Sequence, residues 1–418
     1  MNPSAILADA RKETDKLFGL VLPEALYDRP IPERHRLIFY LGHVEAFDWN
    51  LLRPHMPKAA PFHAAFDRLF AFGIDPLGGA APTDARSDWP SSDEVREYNR
   101  RVRQALDEAD QDAGLLQMAL EHRLMHAETL AYMLHQLPAE RKRAEAQAAA
   151  PEIDQPTREA VGIPEGCATL GLPRGGGFGW DNEFRAHGVR VPAFSIDRCK
   201  ITNSQFLQFV EAGGYRDARF WNPASWRWIA ERSISHPVFW KRAGGEWRLR
   251  TMFDEISLPA SWPVYASHAE ATAYATWSGG RLPSEAEWHR AAYGTPDGAE
   301  RPFPWGDEPP EPGRGYFGFA RWDPSPVDAF PAGRSAFGLD GLMANGWEWT
   351  ATPFAPFPGF AAHPSYPGYS SDFFDGEHYV LKGGSPRTAA SLLRRSFRNW
   401  FQPHYQYVYA GFRCVRSA

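Results

Sequence analysis

Glu121-His-Arg-Leu-Met-His-Ala-Glu128 lies inside a stretch, Ala113 to Leu137, with no proline and one glycine near its start. Its apolar residues and histidines recur at spacings of three and four, as in His122, Leu124, His126, Leu130, Met133 and Leu134. That period predicts one long helix. Two histidines at i and i+4 then leave the same helical face, so both imidazoles can reach one ion. Taken alone, the pair fits two half-buried histidines as well as it fits two metal ligands.

Working outward, Ile6 to Phe18, Arg34 to Leu52 and Ser92 to Ala109 share the pattern, and Pro90 with Ser91 and Ser92 marks a helix start. Four helices with one long connection, Leu51 to Pro90, predict a four-helix bundle. His43 stands mid-helix in Tyr40-Leu-Gly-His-Val-Glu-Ala-Phe47, an otherwise apolar run where a buried neutral imidazole needs a reason. His43, His122 and His126 from two facing helices would form a three-nitrogen site with open coordination positions. Imidazole suits iron, zinc, copper or nickel, so the ligands do not choose the metal. The residue after His122 is Arg123, which excludes the HExxH order of a zinc protease. Glu128 is placed either to orient a ring or to bind as a carboxylate.

Beyond Ala139 the texture changes. Residues 139–160 are rich in Ala, Glu, Lys, Arg and Pro and read as a linker or a peripheral helix. After them, short apolar runs alternate with Gly/Pro/Asp/Asn turns, and helices are clear only at Thr202 to Ala212, His268 to Trp277 and Ser284 to Tyr293. The 16 Trp, 28 Phe and 15 Tyr suit a loop-rich region built on aromatic anchors. The fold expectation is two domains of α+β class: a helical bundle over 1–138, a linker over 139–160, and a mixed domain over 161–418. A net charge of -6 gives no electrostatic reason for a nucleic-acid or anionic-membrane partner. No apolar run approaches the ~20 residues that span a bilayer. The charged N-terminus does not read as a signal peptide. Three scattered cysteines make neither a disulfide framework nor a cysteine-based zinc site, and Cys167 and Cys199 read as small buried residues. A reducing cytoplasm is expected.

Ordered motifs in the second half resemble a formylglycine-generating-enzyme-like domain, a mixed fold related to C-type lectins. They are Gly175-Gly-Gly-Phe-Gly-Trp-Asp-Asn-Glu183, Val191-Pro-Ala-Phe-Ser-Ile-Asp-Arg198, Ile201-Thr-Asn203, Gly280-Arg-Leu-Pro-Ser-Glu-Ala-Glu-Trp288, Asn345-Gly-Trp-Glu-Trp-Thr350, Gly383-Gly-Ser385 and Gly411-Phe-Arg-Cys414. The helical half resembles a DinB-like bundle with its HxxxHxE motif. The combination, with Phe397-Arg-Asn-Trp400, is similar to the ergothioneine-type sulfoxide synthases. That family uses non-haem iron(II) and O2 to attach sulfur to an imidazole carbon of hercynine (trimethylhistidine). Formylglycine-generating enzymes proper rely on a cysteine pair, and Cys414 is the only cysteine here after Cys199.

The resemblance implies that His43, His122 and His126 hold Fe(II) and that Asn399 and Trp400 contact hercynine. An indole face suits its quaternary ammonium. The chain departs from the pattern in three ways. Met125 stands where many relatives place a substrate-touching Gln. Phe401 and Tyr405 stand where users of γ-glutamylcysteine carry Asp and Arg. Gly78 to Trp89 lacks a basic, Pro-rich run. A donor with two carboxylates and an ammonium needs paired charges. Phe401, Gln402, His404 and Tyr405 offer aromatic and amide groups, which suit a sugar. The expected branch is therefore selenoneine synthase, joining hercynine to a selenosugar. The alternatives are a sulfoxide synthase using cysteine or γ-glutamylcysteine, a DinB-type metalloenzyme holding zinc or nickel, and a carbohydrate-binding protein without catalysis. Tyr366 and Tyr369, in the loop between Trp349 and Gly383, are the candidate proton donors.

Overall fold

Ser91 opens the third long helix by accepting from the Glu94 amide while the Glu94 carboxylate accepts from the Ser91 amide, so two end groups are satisfied reciprocally. Asp112 opens the fourth in the same spirit, accepting from Gly114 and Leu115. These caps belong to a helical unit, Met1–Ala146; a second unit covers Gln147–Ala418. The computed structural model describes residues 3–56, 59–71, 82–109, 112–146 and 157–417.

The helical unit contains α1 (Pro3–Leu20), α2 (Leu37–Leu52), α3 (Ala64–Leu69), α4 (Ser92–Asp107) and α5 (Ala113–Gln136). Helix α1 packs on α5, and α2 packs on both α4 and α5. Helix α4 turns one stripe inward, Val95, Tyr98, Val102 and Leu106. By contrast α2 and α5 are buried on almost every face, which is why their histidines lie deep in the bundle. Helix α2 starts three residues later than the periodicity predicts. Arg36 is extended, and Arg34 closes a turn onto the Ile31 carbonyl.

Two connections are tied down by specific contacts. Residues 139–143 pack onto the bundle: Lys142 bridges Val21 and donates through Nζ to the Leu134 carbonyl at 2.7 Å. Residues 147–156 of the expected linker lie outside the described residues, as do residues 78–81 of the segment before Trp89. The described part of that segment is held by Asp84, which accepts from Arg29, Arg36 and the Trp89 indole.

The second unit is mixed. Its strands are β1 (Ala160–Ile163), β2 (Gly166–Leu170), β3 (His187–Val191), β4 (Phe194–Asp197), β5 (Trp240–Ala243), β6 (Glu246–Arg250), β7 (Glu255–Ser257), β8 (Gly346–Pro353), β9 (Tyr379–Gly384), β10 (Asn399–Phe401), β11 (Ala410–Gly411) and β12 (Val415–Ser417). They form sheets ordered β10-β9-β8-β11, β1-β4-β12, β5-β6-β7 and β2-β3. The helices are α6 (Asn203–Glu211), α7 (Pro223–Glu231), α8 (His268–Trp277), α9 (Glu285–Tyr293) and the single turn α10 (Gly368–Ser371). A core of Ile196, Phe194, Trp288, Leu339, Leu342, Met343 and Val415 joins α9 to the sheets.

Several of the ordered motifs serve this framework. Glu348 of the Asn345–Thr350 motif accepts from Arg413 of the Gly411–Cys414 motif at 2.7 and 3.0 Å, and Lys200 stands 3.1 Å away. Glu348 and Arg413 are both fully buried, so each needs the other. Ser284 caps α9, and the next residue, Glu285, takes Arg398 at 3.1 Å. The cysteines depart from their expected burial. Cys167 is exposed because alternation along β2 sends it outward while its neighbour Ala168 enters the core, and Cys199, just beyond β4, is half-buried.

Candidate metal centre and aromatic site

His43 on α2 and His122 and His126 on α5 meet inside the helical unit. His43 Nε2 lies 3.2 Å from His126 Nε2, which lies 3.1 Å from His122 Nε2. Two nitrogens bound at about 2.1 Å stand about 3.0 Å apart at a right angle and about 3.4 Å apart at a tetrahedral one. These two separations fall between those limits, and all three ligand atoms lie within 4.8 Å of one another. The three rings expose 1–3% of their surface.

Burial also sets their charge. His43 is pushed down to about 4 by desolvation, against the opposing pull of the Phe70 carbonyl. His122 and His126 are driven well below the ordinary imidazole range, again by burial first and by neighbouring positive charge second. All three are therefore neutral at pH 7, as metal ligation requires. His43 commits its Nδ1 proton to the Phe70 carbonyl at 2.6 Å, which leaves the Nε2 lone pair facing the other two rings. Three converging lone pairs in a dry pocket fit a divalent transition ion, and the donor set alone admits iron, zinc, copper or nickel.

Four groups around the triad escape a sequence reading. Phe70 returns from the α2–α4 connection to supply its carbonyl, and its ring lies where a side chain on Gly42 would be: an added Cβ would stand 2.6 Å from three ring carbons. Phe47, one turn after His43, stacks on His122 at 3.4 Å between centroids. Phe39 stacks on His43 at 4.9 Å. Beneath them Arg123 meets Glu45 and Asp48, all fully buried. Glu45 is held down at about 2, its burial outweighed by Arg123 and Arg103, whereas burial lifts Asp48 to about 6. Glu128 is not among the converging groups. It follows His126 by two residues, a rotation of about 200° around the helix. Met125 is half-buried on α5.

The second unit gathers a separate aromatic site. Trp400 on β10 stacks on Phe354 (4.1 Å, 8°) and meets Tyr369 edge-on (5.4 Å, 81°), with Phe373 at 5.5 Å. Tyr369 in turn stacks on Trp180 at 3.9 Å, and Tyr366 lies 5.5 Å from Tyr369. Of the two tyrosines, Tyr369 is therefore the one that adjoins Trp400. The turn that carries it is pinned from Trp180-Asp-Asn-Glu183. The Ser370 hydroxyl donates to Asp181 and accepts from the Asn182 amide at 3.0 Å. Burial raises the Asp181 carboxyl above its ordinary value.

Strand alternation sends Asn399 and Phe401 to the face opposite Trp400. Asn399 and Trp400 therefore do not share a face of β10, which is the edge strand of its sheet. Phe401 stacks on Tyr405 (4.9 Å, 6°), and Tyr405 meets Tyr407 edge-on. His404 lies against Trp228 (4.7 Å, 10°) and 3.1 Å from the Ser225 hydroxyl; Gln402 is exposed.

Comparison with known proteins finds relatives of the chain. Residues 145–418 match the sulfatase-modifying factor enzyme 1-like domain family. A hercynine oxygenase of Mycolicibacterium smegmatis is 36% identical over 392 residues, covering 88% of this chain and 86% of that protein. A hercynine oxygenase of Mycobacterium tuberculosis is 42% identical over 236 residues, 56% of this chain and 55% of that protein, so the match spans about half of that relative's length. The ergothioneine biosynthesis protein 1 of Neurospora crassa is 28% identical over 94% of this chain and 55% of its own.

Proposed function

As the chain belongs to the ergothioneine-type family that includes the hercynine oxygenases, and to the sulfatase-modifying-factor-like domain family, we propose that it is a non-haem iron(II), O2-dependent enzyme. It joins hercynine to a selenosugar in selenoneine biosynthesis, in the cytoplasm. The observation that carries the metal reading is the convergence of three buried, neutral Nε2 atoms on one point. No described helix is long and apolar enough to cross a membrane.

The overall change is imidazole C–H plus selenol plus O2 giving the carbon-bound selenoxide and water. Forming the C–Se bond removes two electrons and oxidising selenium removes two more, which accounts for the four electrons that O2 accepts. Iron, when bound, supplies the redox capacity that couples these electron transfers. The chain's own residues bind and orient. Trp400 offers an indole to the trimethylammonium group, an attraction of roughly 1–2 kcal/mol when desolvated. Asn399 offers an amide to the hercynine carboxylate or imidazole. Tyr369, beside Trp400, is the preferred proton donor, with Tyr366 as the alternative. Met125 replaces an amide contact with an apolar one.

The donor assignment is supported by the Phe401–Tyr405 stack, an aromatic pair at the two positions where a charged dipeptide such as γ-glutamylcysteine would need paired ions. The named relatives favour the second reading, a sulfur donor such as cysteine or γ-glutamylcysteine. The test is oxygen uptake by anaerobically purified, iron-loaded protein given hercynine with each donor in turn, with products identified by mass. Uptake with the selenosugar and none with γ-glutamylcysteine supports the first reading. The reverse pattern removes the selenium assignment, and no uptake with any donor removes the enzyme.

A further inference from the structure

Arg123, the residue after His122, projects its guanidinium into the bundle with no exposed surface. Its Nη1 and Nη2 donate to the two oxygens of Glu45 at 3.0 and 2.8 Å, forming a fork. The same Nη2 reaches the Val44 carbonyl at 3.0 Å and also donates to Asp48, while Nη1 stands 3.3 Å from the Thr14 hydroxyl of α1. Arg103 of α4 closes on Glu45 from the other side at 2.8 and 2.6 Å, and holds Asp15 of α1 at 2.7 Å through both terminal nitrogens. All four long helices thus meet at one ionic layer, buried at Arg123, Glu45 and Asp48 and reaching the surface at Asp15. Two of its members, Glu45 and Arg123, lie within two residues of a histidine of the triad.

We infer that this Arg123–Glu45–Asp48 cluster is the positioning device that fixes the register of α5 against α2 and thereby the spacing of the three imidazoles. The inference rests on the metal reading of the triad. A buried ion cluster is an expensive way to gain stability, because desolvation offsets most of the attraction; its best-attested use is to specify register. Apolar side chains tolerate a slide of one helix along another. A planar fork on a carboxylate does not. A slip of one residue would turn α5 by about 100° and shift it by about 1.5 Å, carrying His122 and His126 away from His43. Arg123, Glu45 and Asp48 touch neither substrate nor ion; they act through the helices.

The experiment is a Co(II) titration of the full chain, read by the visible absorption of the bound ion, beside thermal melting by circular dichroism. The variants are Arg123→Met/Glu45→Met/Asp48→Leu, which replaces the cluster by apolar groups of similar volume, and Arg123→Lys, which keeps the charge and loses the fork. The expected result is a melting temperature at or above wild type in the triple variant. In both variants the Co(II) dissociation constant rises about 10- to 100-fold, as for lost supporting groups at other metal sites, and the absorption bands shift. A variant that folds and binds Co(II) with the wild-type constant and spectrum overturns the inference. So does loss of fold in both, which would make the cluster an element of stability. If wild-type protein itself binds no Co(II), the metal reading fails, a distinct result.

Discussion

Gly42→Ala tests the link between a tight approach and the metal centre. The substitution sits in the interior of α2, where helix propensity alone favours alanine by about 1 kcal/mol. The added Cβ, however, would stand 2.6 Å from three carbons of the Phe70 ring, against an ordinary contact of about 3.5–4.0 Å. The ring must retreat by about 1 Å, and Phe70 is fully buried among Phe39, Phe66 and Tyr98. Overpacking of this kind costs roughly 1–3 kcal/mol. The net expectation is a loss of about 1 kcal/mol, or about 3 °C in the melting of the helical unit. Moving Phe70 also loosens its carbonyl from His43 Nδ1, now at 2.6 Å, so metal affinity should fall about 10- to 100-fold. Differential scanning calorimetry and a Co(II) titration read the two effects. A higher melting temperature with unchanged Co(II) affinity would refute both the packing argument and the orienting role of Phe70.

Trp400→Ala removes the indole beside Tyr369 and should weaken hercynine binding by about 5- to 30-fold, measured by calorimetric titration; wild-type affinity would remove Trp400 from the substrate site. Phe401→Asp combined with Tyr405→Arg should raise oxygen uptake with γ-glutamylcysteine and lower it with a selenosugar, and no change in the donor ratio would detach this pair from donor choice. His268, driven down to about 3 by burial, remains neutral in the folded protein while its unfolded counterpart gains a proton below about pH 6.5. Its contribution is thus intact above pH 6.5 and is lost on acidification from 6.5 toward 3, at about 1.4 kcal/mol per pH unit. His268→Met should flatten the decline in melting temperature of the second unit between pH 6.5 and 4.5. A decline parallel to wild type would show that other groups carry the acid sensitivity.

Local signals account for what the sequence revealed. The helix start at Ser91, the period of α4 and the i, i+4 histidines each depend on residues within two turns of one another, and all appear in the structure. His43 was readable because a polar side chain in an apolar run calls for a partner. The supports of the triad were not. Phe70 acts through a backbone carbonyl, which carries no residue-type signature, and the partners of Arg123, Glu45 and Asp48, come to it only when α2 packs on α5. In the second unit the strands are short, and several pair across long separations, as β4 does with β12, so alternation within each is too brief to read. Helix α7 was missed because its Trp226 and Trp228 alternate as in a strand, although Asn222 followed by Pro223 is a helix start that could have marked it. The opposite directions of Asn399 and Trp400 became visible only once β10 was known to be a strand.

The central claim is that three imidazoles hold one redox-active ion. Protein prepared without oxygen, loaded with ferrous iron and desalted should retain one iron per chain by elemental analysis. His43→Ala, His122→Ala and His126→Ala should each keep the helical circular dichroism of the wild type, retain almost no iron and consume no O2 with hercynine and a donor. Full iron retention in any of the three variants, or turnover by iron-free protein, would contradict the account.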